Sequence, residues 1–362
     1  MRQPVHTVYG GAHLFGVDTI VKVGAVARKT LETYAPDLET FASVVGEPDL
    51  PPLAWERMLA KLTREPVEDY RIDFEDGYGI RPDSEEDAHA KAAGALLSSA
   101  LLPPFFGIRI KPLTEASRHR ALRTLYLFMS AAGTVPDGFL VTLPKVTGSD
   151  QIKQLLAAVP AQARIELMIE TPDAIVDSTG RFAIPALLDA CEGRCMAIHF
   201  GPYDYTASLG ITAQAQSLDH PACDFARSAL QVCATGRVNI SDGPTGLMPV
   251  SKTGDRRAVH AAMRDHYQHV RRSLRNGFYQ GWDLHPGQLP TRYAAVYSFF
   301  LSALPAAAAR LRNFQERSQQ AVTTGTVFDD EATGRALRNF FQRGLDCGAL
   351  EETDVPFRVS PD

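Results

Sequence analysis

The sequence predicts an α/β fold, a (β/α)8 TIM barrel with a C-terminal helical extension. Short apolar runs end in polar or Gly/Pro clusters, and most are followed by a stretch with helical periodicity, which is typical of βα units around a parallel sheet. Eight such runs fit into about 280 residues, as a TIM barrel requires. Charged residues gather where the runs end, which is the face of such a barrel that carries the active site.

The apolar runs predict the strands in chain order. His6–Tyr9 is a weak first strand, and the seventh strand is either Val238–Ser241 or Gly246–Val250. The other strands are predicted at Asp69–Phe74, Phe105–Lys111, Gly138–Leu143, Arg164–Ile169, Met196–Phe200 and Phe278–Leu284. Periodicity does not distinguish a closed barrel from an open, doubly wound sheet, so the open sheet remains an alternative.

Helical periodicity fills most of the gaps between these strands. The predicted helices are Asp83–Ser99, Thr114–Ala132, Ser149–Ala158, Ala183–Glu192, Pro221–Ala234 and Arg256–Asn276. The segment Gly46–Val67 is rich in proline and charge, and we interpret it as an insertion that covers one end of the barrel.

The C-terminal part continues beyond a closed barrel. A helix over Tyr293–Ala309 is followed by a polar linker containing Thr323–Thr326 and by an amphipathic helix over Asp329–Leu345. We expect this last helix to pack outside the barrel or on a neighbouring subunit. The chain is accordingly divided into a catalytic barrel, residues 1–310, and a linker with a C-terminal helical extension, residues 311–362.

Composition excludes several classes of function. The net charge of -5 argues against nucleic acid as a partner, because phosphate binding needs a positive surface. No run of about 18 apolar residues is present, and the N-terminus does not read as a signal peptide, so we expect a cytoplasmic protein without a membrane span. The five cysteines form neither an even framework nor a CxxC pair, which predicts reduced thiols rather than disulfides or structural zinc.

Charged residues follow six of the predicted strands and would converge on one small volume. They occur in Asp73-Phe74-Glu75-Asp76-Gly77, Arg109 with Lys111, Pro144-Lys145, Glu170-Thr171-Pro172, Gly201-Pro202-Tyr203-Asp204 and Asp283-Leu284-His285-Pro286-Gly287-Gln288. Packed carboxylates repel one another, and a divalent cation removes that repulsion. Oxygen ligands favour Mg2+ or Mn2+, which can hold a carboxylate and the adjacent keto oxygen together and stabilise an enolate.

Each of these side chains also has a structural interpretation. Asp204 fits a helix cap, Glu170 and Arg109 fit salt bridges, and His285 fits a hydrogen-bonded packing residue. The loop 73–76 fits a solvated turn. Only the conjunction of the six strand ends favours an active site.

The motifs resemble the HpcH/HpaI aldolase and citrate lyase β-subunit (CitE-like) family, of the phosphoenolpyruvate/pyruvate barrel superfamily. The resemblance runs from about Thr7 to Ala303. The loop 73–77 resembles the family's D-L-E-D-A/G element, and residues 108–112 resemble its V-R-x-N-P element. Residues 143–146, 169–171, 200–204 and 284–288 are similar to its x-P-K-V, I-E-T, F-G-x-x-D and I-H-P-x-Q elements, in the same order.

The resemblance implies that Glu170 and Asp204 ligate Mg2+, or Mn2+. It implies that Arg109 binds the oxygens of a 2-oxo acid or its enolate, and that Lys145 supports the same acidic group. Glu75 and Asp76 would hold metal-bound waters, with Asp76 near the moving proton. We therefore expect Arg109, Asp76 and Lys145 to be catalytic, and the substrate to contact residues Arg109, Glu75, Pro202 and His285.

The chain also departs from the family pattern. HpcH-type aldolases place a histidine where this chain has Asp76, so their proton relay does not carry over, and Lys111 replaces the asparagine of the CitE-like element. The C-terminal region does not match the lid of the CoA-ester lyases. This argues against a CoA ester as substrate, although a CoA ester stays an alternative.

The expected function is that of a Mg2+-dependent carbon–carbon lyase or aldolase acting through the metal-stabilised enolate of a pyruvate-, oxaloacetate- or glyoxylate-like acid. One alternative is a Schiff-base aldolase that uses Lys111 or Lys145 as nucleophile. Another is a non-catalytic metabolite-binding barrel. The family and the external helix suggest a homo-oligomer, a trimer or a hexamer.

Overall fold

The computed structural model describes residues 2–320 and 331–355, with side chains described for 2–314 and 332–355. It contains one sheet of eight parallel strands. Their bounds are β1 His6–Gly11, β2 Asp69–Asp73, β3 Phe105–Arg109, β4 Leu140–Leu143, β5 Arg164–Ile169, β6 Cys195–Phe200, β7 Asn239–Ser241 and β8 Gly281–Asp283. Each predicted strand is present, and the first of the two alternatives for the seventh is the correct one.

The sheet closes into a barrel. Strands β1 to β7 pair in sequence order, and β1 also pairs with β8. Just beyond β7, Pro244 forms a parallel bridge to Trp282, and the Asp242 amide donates to the Gln280 carbonyl at 2.9 Å. This ring of sequential neighbours excludes the open, doubly wound sheet and confirms the TIM barrel.

Helices follow the strands and surround the barrel. Their bounds are α1 Thr19–Tyr34, α2 Leu38–Val45, α3 Pro52–Arg64, α4 Asp83–Leu96, α5 Arg118–Ala132, α6 Ser149–Ala158, α7 Pro172–Ile175, α8 Ile184–Ala190, α9 Pro202–Ser208, α10 Pro221–Ala234, α11 Arg256–Arg275, α12 Leu289–Gln320 and α13 Glu331–Asp346. The bounds predicted for α6 and α10 match, whereas the N-terminus of α5 and the C-terminus of α4 were placed too far out.

The segment Gly46–Val67, which we interpreted as a cover over one barrel end, is largely helical. Most of the segment forms α3, which packs against α12 and α1 in the outer layer. Its buried face includes Met58 and Leu62, both fully buried. The apolar positions of α3 recur at helical spacing, with charged residues between them. This pattern in the sequence is typical of an amphipathic helix.

Helix α12 is longer than predicted and is largely buried among the helices that surround the barrel. By length and composition alone, Pro286–Phe314 could cross a membrane, with a mean hydropathy of 1.4. However, 56% of its most apolar window is buried inside the protein, where α12 packs against α11 and α3. Its composition is therefore accounted for by packing within the protein.

The C-terminal helix packs on the outside of its own barrel, which is the first of the two positions expected for it. Helix α13 lies against α12, where the rings of Phe340 and Phe300 are 5.2 Å apart. Arg343 stacks over Tyr279 and donates to Gln3 at 2.7 Å, which ties the helix to the N-terminal end of the barrel. The predicted linker at Thr323–Thr326 lies outside the described residues.

The lower part of the barrel interior is polar. Buried Arg71 bonds to Asp69 and to Glu166, and Glu166 also accepts from Thr142 at 2.8 Å. Asp69 accepts from Thr7 at 2.8 Å. Because each carboxylate has partners, the layer is a closed charge network that supports the site above it.

Candidate active site

A cavity of about 390 Å3 opens at the carboxyl ends of the strands. Its charged lining consists of Asp73, Asp76, Arg109, Glu170 and Asp204. A second cavity, of about 480 Å3, lies at the opposite end and is lined by the carboxylates of the polar interior layer. We place the candidate site in the cavity at the carboxyl ends, because that is the face on which TIM barrels carry their active sites.

Arg109 is fixed rigidly at the edge of this cavity. Asp73 accepts from its guanidinium at both oxygens, with Nε–Oδ1 at 2.7 Å and Nη2–Oδ2 at 2.5 Å. Glu75 lies 3.0 Å from Nη1, and the guanidinium covers the ring of Tyr9 at 4.7 Å. Burial opposes the charge, but Asp73 and Glu75 raise the pKa of Arg109 further above its usual value, so the group is a permanent cation.

Lys145 follows β4 in a left-handed conformation, with φ of 49°. Such a backbone is strained for a residue with a side chain, and strain of this kind is often kept at functional sites. Its amide donates to Glu170 at 2.6 Å, while its ammonium lies 2.5 Å from Glu75 and 3.3 Å from Asp204. One residue thus binds three of the carboxylates that gather here.

Glu170 follows β5 and is almost completely buried. Burial, together with the charges of Asp204 and Glu75, raises its pKa to about 7, although Lys145 acts in the opposite direction. The close approach of α9 adds to its confinement, because a Cβ at Gly201 would overlap Cβ and Oε2 of Glu170. Glycine at this position leaves the space that the carboxylate occupies.

Asp204 and Pro202 come from the first turn of α9, directly after β6. Pro202 occupies the first helical position and lines the cavity. Asp204 also lines the cavity and retains 42% side-chain exposure. Asp76, on the loop after β2, is 66% exposed and lies 3.7 Å from Lys145 and 3.9 Å from Arg109.

The donor set fits a hard divalent cation that keeps part of its own water. Among residues 2–320 and 331–355, no group of three or more His, Cys, Asp or Glu is arranged as a metal cage. Glu170 and Asp204 supply two carboxylates beside the cavity, and Mg2+ is commonly held by one or two carboxylates with water or substrate filling the remaining positions. Burial first, and then the charges of Asp204 and Glu75, raise the pKa of Glu170, and a bound cation would favour its charged form.

Some predicted site residues lie elsewhere. His285 is not among the residues that line the cavity; its Nδ1 accepts from the Gly287 amide at 3.0 Å and caps the turn Pro286–Gln288. Neither Glu75 nor Lys145 is among the residues that line the cavity, and Glu75 bridges Arg109 and Lys145. Lys111 turns outward to the Phe74 carbonyl at 2.7 Å and to Glu86 at 2.8 Å.

Sequence reasoning assigned no role to several residues of the cavity. Asp73 was named only as a member of the charged cluster after the second strand, or of a solvated turn, whereas it is fully buried and orients Arg109. Tyr9 on β1 and Trp282 on β8 line the cavity, with their rings 5.2 Å apart. A signal existed for the aromatic pair, since both stand near the carboxyl ends of strands that are neighbours in a closed barrel.

Comparison with known proteins agrees with this architecture. A family model described as a domain of unknown function (DUF6986) matches residues 1–360. No curated protein sequence matches the chain at a significant level. The fold is similar to that of a citrate lyase from Burkholderia xenovorans LB400, with a TM-score of 0.64, 17% identity, and coverage of 98% of this chain and 95% of the other.

Malate synthase from Haloferax volcanii is a second structural neighbour. Its lead(II) complex gives a TM-score of 0.51 at 14% identity, over 94% of this chain and 92% of that one. Its magnesium/glyoxylate complex gives 0.50 at 13% identity, with the same coverage. At these identities the likeness shows the fold alone, and that fold is the TIM barrel that the sequence predicted.

Proposed function

The chain belongs to the family described as a domain of unknown function (DUF6986), and from the geometry of its site we propose that it is a divalent-metal-dependent carbon–carbon lyase or aldolase. Its substrate is a small 2-oxo acid of the pyruvate, oxaloacetate or glyoxylate type, or an adduct of one. The observation that carries the proposal is a single cavity that joins the carboxylates Glu170 and Asp204 to a fixed guanidinium, Arg109.

The named relatives support this choice of chemistry. The Burkholderia protein is a citrate lyase, and the Haloferax malate synthase has been solved with magnesium and glyoxylate. Both share the fold of this chain. In a TIM barrel, function resides in the loops after the strands, and those loops are where this chain places its charged cavity.

Each charged residue takes a distinct role. Glu170 and Asp204 hold Mg2+ or Mn2+, which supplies a Lewis acid for the keto and carboxylate oxygens of the substrate. Arg109 donates to the same oxygens, and its planar fork suits a carboxylate or an enolate. Because Asp73 and Glu75 hold the guanidinium in place before substrate arrives, little reorganisation accompanies the development of charge.

Asp76 is the proposed proton carrier. It is the most exposed carboxylate of the cavity, and it lies within 4 Å of the cations Lys145 and Arg109. Behind it, burial and the charge of Asp76 raise the pKa of Glu75.

The amine-based alternative has weaker support. Lys111 does not line the cavity and is bound to Glu86. Burial lowers the pKa of Lys145, but the carboxylates around it, Glu75 first, raise the pKa above its usual value and hold the amine in its non-nucleophilic ammonium form. A metal-dependent enolate therefore agrees better with the electrostatics than an iminium does.

Enolate formation can be tested without knowing the acceptor. The protein is incubated with pyruvate and Mg2+ or Mn2+ in D2O, and loss of the methyl proton signal is followed by NMR. We expect exchange that requires the metal, stops with excess chelator and resumes when the metal is restored.

Two results would count against the proposal. Exchange that persists in excess chelator would exclude a metal-dependent enolate. Binding of metal and 2-oxo acid without exchange, and without cleavage or condensation of any 2-oxo acid adduct, would favour a non-catalytic metabolite-binding barrel.

A further inference from the structure

The two walls of the cavity differ in chemistry. The charged residues all come from the ends of β2, β3, β5 and β6. The facing wall comes from β1, β8 and the loop after β7, and it presents the side chains of Tyr9, Pro244, Met248, Trp282 and Leu284. None of these five carries a formal charge.

Two of the polar side chains at the aromatic wall, Trp282 and Tyr203, are already bound inside the protein. The indole of Trp282 donates to His199 Nδ1 at 2.9 Å, deeper in the barrel. The hydroxyl of Tyr9 is buried, with no protein partner among the described residues, and burial raises its pKa well above the usual value, so it stays a neutral phenol. The neighbouring Tyr203 donates to the Pro244 carbonyl at 3.3 Å.

The apolar wall continues to the mouth of the cavity. Met248 and Leu284 are 43% and 37% exposed, although both line the cavity. Large apolar side chains left in water at a cavity mouth mark a surface that a ligand covers. The two cations of the charged side, Arg109 and Lys145, are already bound to carboxylates there.

From this division we propose that the substrate is itself divided: a 2-oxo acid head lies at the charged wall, and an apolar tail, aromatic or aliphatic, lies against Trp282, Met248 and Leu284. The inference rests on the proposed function, because the head must occupy the metal side. A tail with a second carboxylate or several hydroxyls would lose its water at a wall whose side chains offer no cation and, apart from the Tyr9 hydroxyl, no free donor.

Binding of unreactive analogues tests the inference. 2-Oxo-4-phenylbutanoate and 2-oxohexanoate carry apolar tails, whereas 2-oxoglutarate carries a second carboxylate; none of them has the 4-hydroxyl needed for cleavage. In titration calorimetry with Mg2+, we expect the apolar analogues to bind at least about tenfold more tightly than 2-oxoglutarate and more tightly than pyruvate.

Variants that exchange the binding preference between the two analogues give a sharper test. Met248→Arg or Leu284→Arg places a cation at the tail wall, so 2-oxoglutarate should gain affinity while 2-oxo-4-phenylbutanoate loses it. Leu247→Arg is the matched control, because Leu247 is 54% exposed beside Met248 but does not line the cavity, and it should leave the preference unchanged.

The outcomes separate this inference from the proposed function. If pyruvate binds and exchanges its methyl protons but 2-oxoglutarate binds as tightly as the phenyl analogue, the apolar tail is wrong and the lyase stands. An unchanged preference in both arginine variants also overturns it. If no 2-oxo acid binds in the presence of Mg2+ or Mn2+, the proposed function and this inference fail together.

Discussion

Asp73 holds Arg109 by both oxygens, at 2.7 Å from Nε and 2.5 Å from Nη2. The same carboxylate accepts from the amides of Glu75 at 2.9 Å and Gly77 at 2.7 Å. One buried side chain therefore fixes both the substrate-facing cation and the loop that carries Asp76. These contacts lower the pKa of Asp73, despite the opposing effect of its burial, so the anion that orients the loop stays charged.

Replacing Arg109 with lysine should abolish most activity. Lysine keeps the charge but cannot occupy both oxygens of Asp73 or present a planar fork to a carboxylate. We expect kcat/KM, or the rate of pyruvate deuteration, to fall by about 100-fold or more. Metal affinity measured by calorimetry serves as the control and should change little. A variant that exchanges at the normal rate would make Arg109 a structural residue.

Replacing Gly201 with alanine should disturb metal binding specifically. The new Cβ would overlap the carboxylate of Glu170, whereas the backbone of Gly201, with φ of -103°, accepts alanine without strain. We expect Mg2+ affinity to fall by at least about tenfold. Gly148→Ala is the matched control, because a Cβ there meets nothing within 4 Å. Equal metal affinity in the two variants would show that Glu170 is not a ligand.

Metal affinity should depend on pH through Glu170. Its pKa is raised to about 7, chiefly by burial, so below that pH a proton competes with the cation for the carboxylate. Affinity for Mg2+ should fall by up to about tenfold per pH unit below 7 and level off above it. Calorimetry in two buffers of different ionisation enthalpy should show proton release near pH 7. Affinity that stays constant from pH 5.5 to 8 would contradict this assignment.

The parts of the site that lie at regular strand ends could be predicted from the sequence. Glu170 and Asp204 follow β5 and β6 immediately, and the carboxyl ends of neighbouring parallel strands meet at one face. Lys111 shows where this reasoning stops, because β3 ends at Arg109 and the chain has already turned outward two residues later.

The aromatic wall could not be predicted in the same way. An aromatic residue in a strand is most often part of the core, and Trp282 is indeed largely buried. Whether such a ring also faces a cavity depends on barrel closure between β8 and β1, which periodicity does not establish. The role of Asp73 could not be predicted for a similar reason, since its partner Arg109 is 36 residues away in sequence.

Stability should fall as the pH drops below 6.5, because of His266. Burial lowers its pKa to about 4, although its bond to Asp283 at 2.9 Å favours the charged ring. Between pH 4 and 6.5 the unfolded chain therefore binds more protons than the folded one, so the free energy of unfolding decreases with falling pH by up to about 3 kcal/mol. Urea unfolding at pH 7 and pH 5 measures this change. His266→Gln should reduce it, and an unchanged pH dependence in that variant would refute the assignment.

Borohydride trapping should leave the protein unmodified. An iminium requires a neutral amine, and desolvation or a neighbouring cation normally provides it by lowering the pKa of the lysine. Lys145 has carboxylates on several sides, with Glu75 at 2.5 Å and Asp204 at 3.3 Å, and these favour the ammonium form. Incubation with borohydride and pyruvate, oxaloacetate or glyoxylate should therefore give no mass increase at Lys145 or Lys111.

Mutation of the two lysines completes this test of mechanism. Lys145→Met should slow pyruvate deuteration through lost charge pairing, by about 10- to 100-fold, without abolishing it. Lys111→Met is the matched control, since Lys111 is bound to Glu86 outside the cavity, and it should affect folding stability more than rate. A covalent adduct mapped to Lys145, or complete loss of exchange in Lys145→Met with metal affinity intact, would replace the metal-dependent enolate by Schiff-base catalysis.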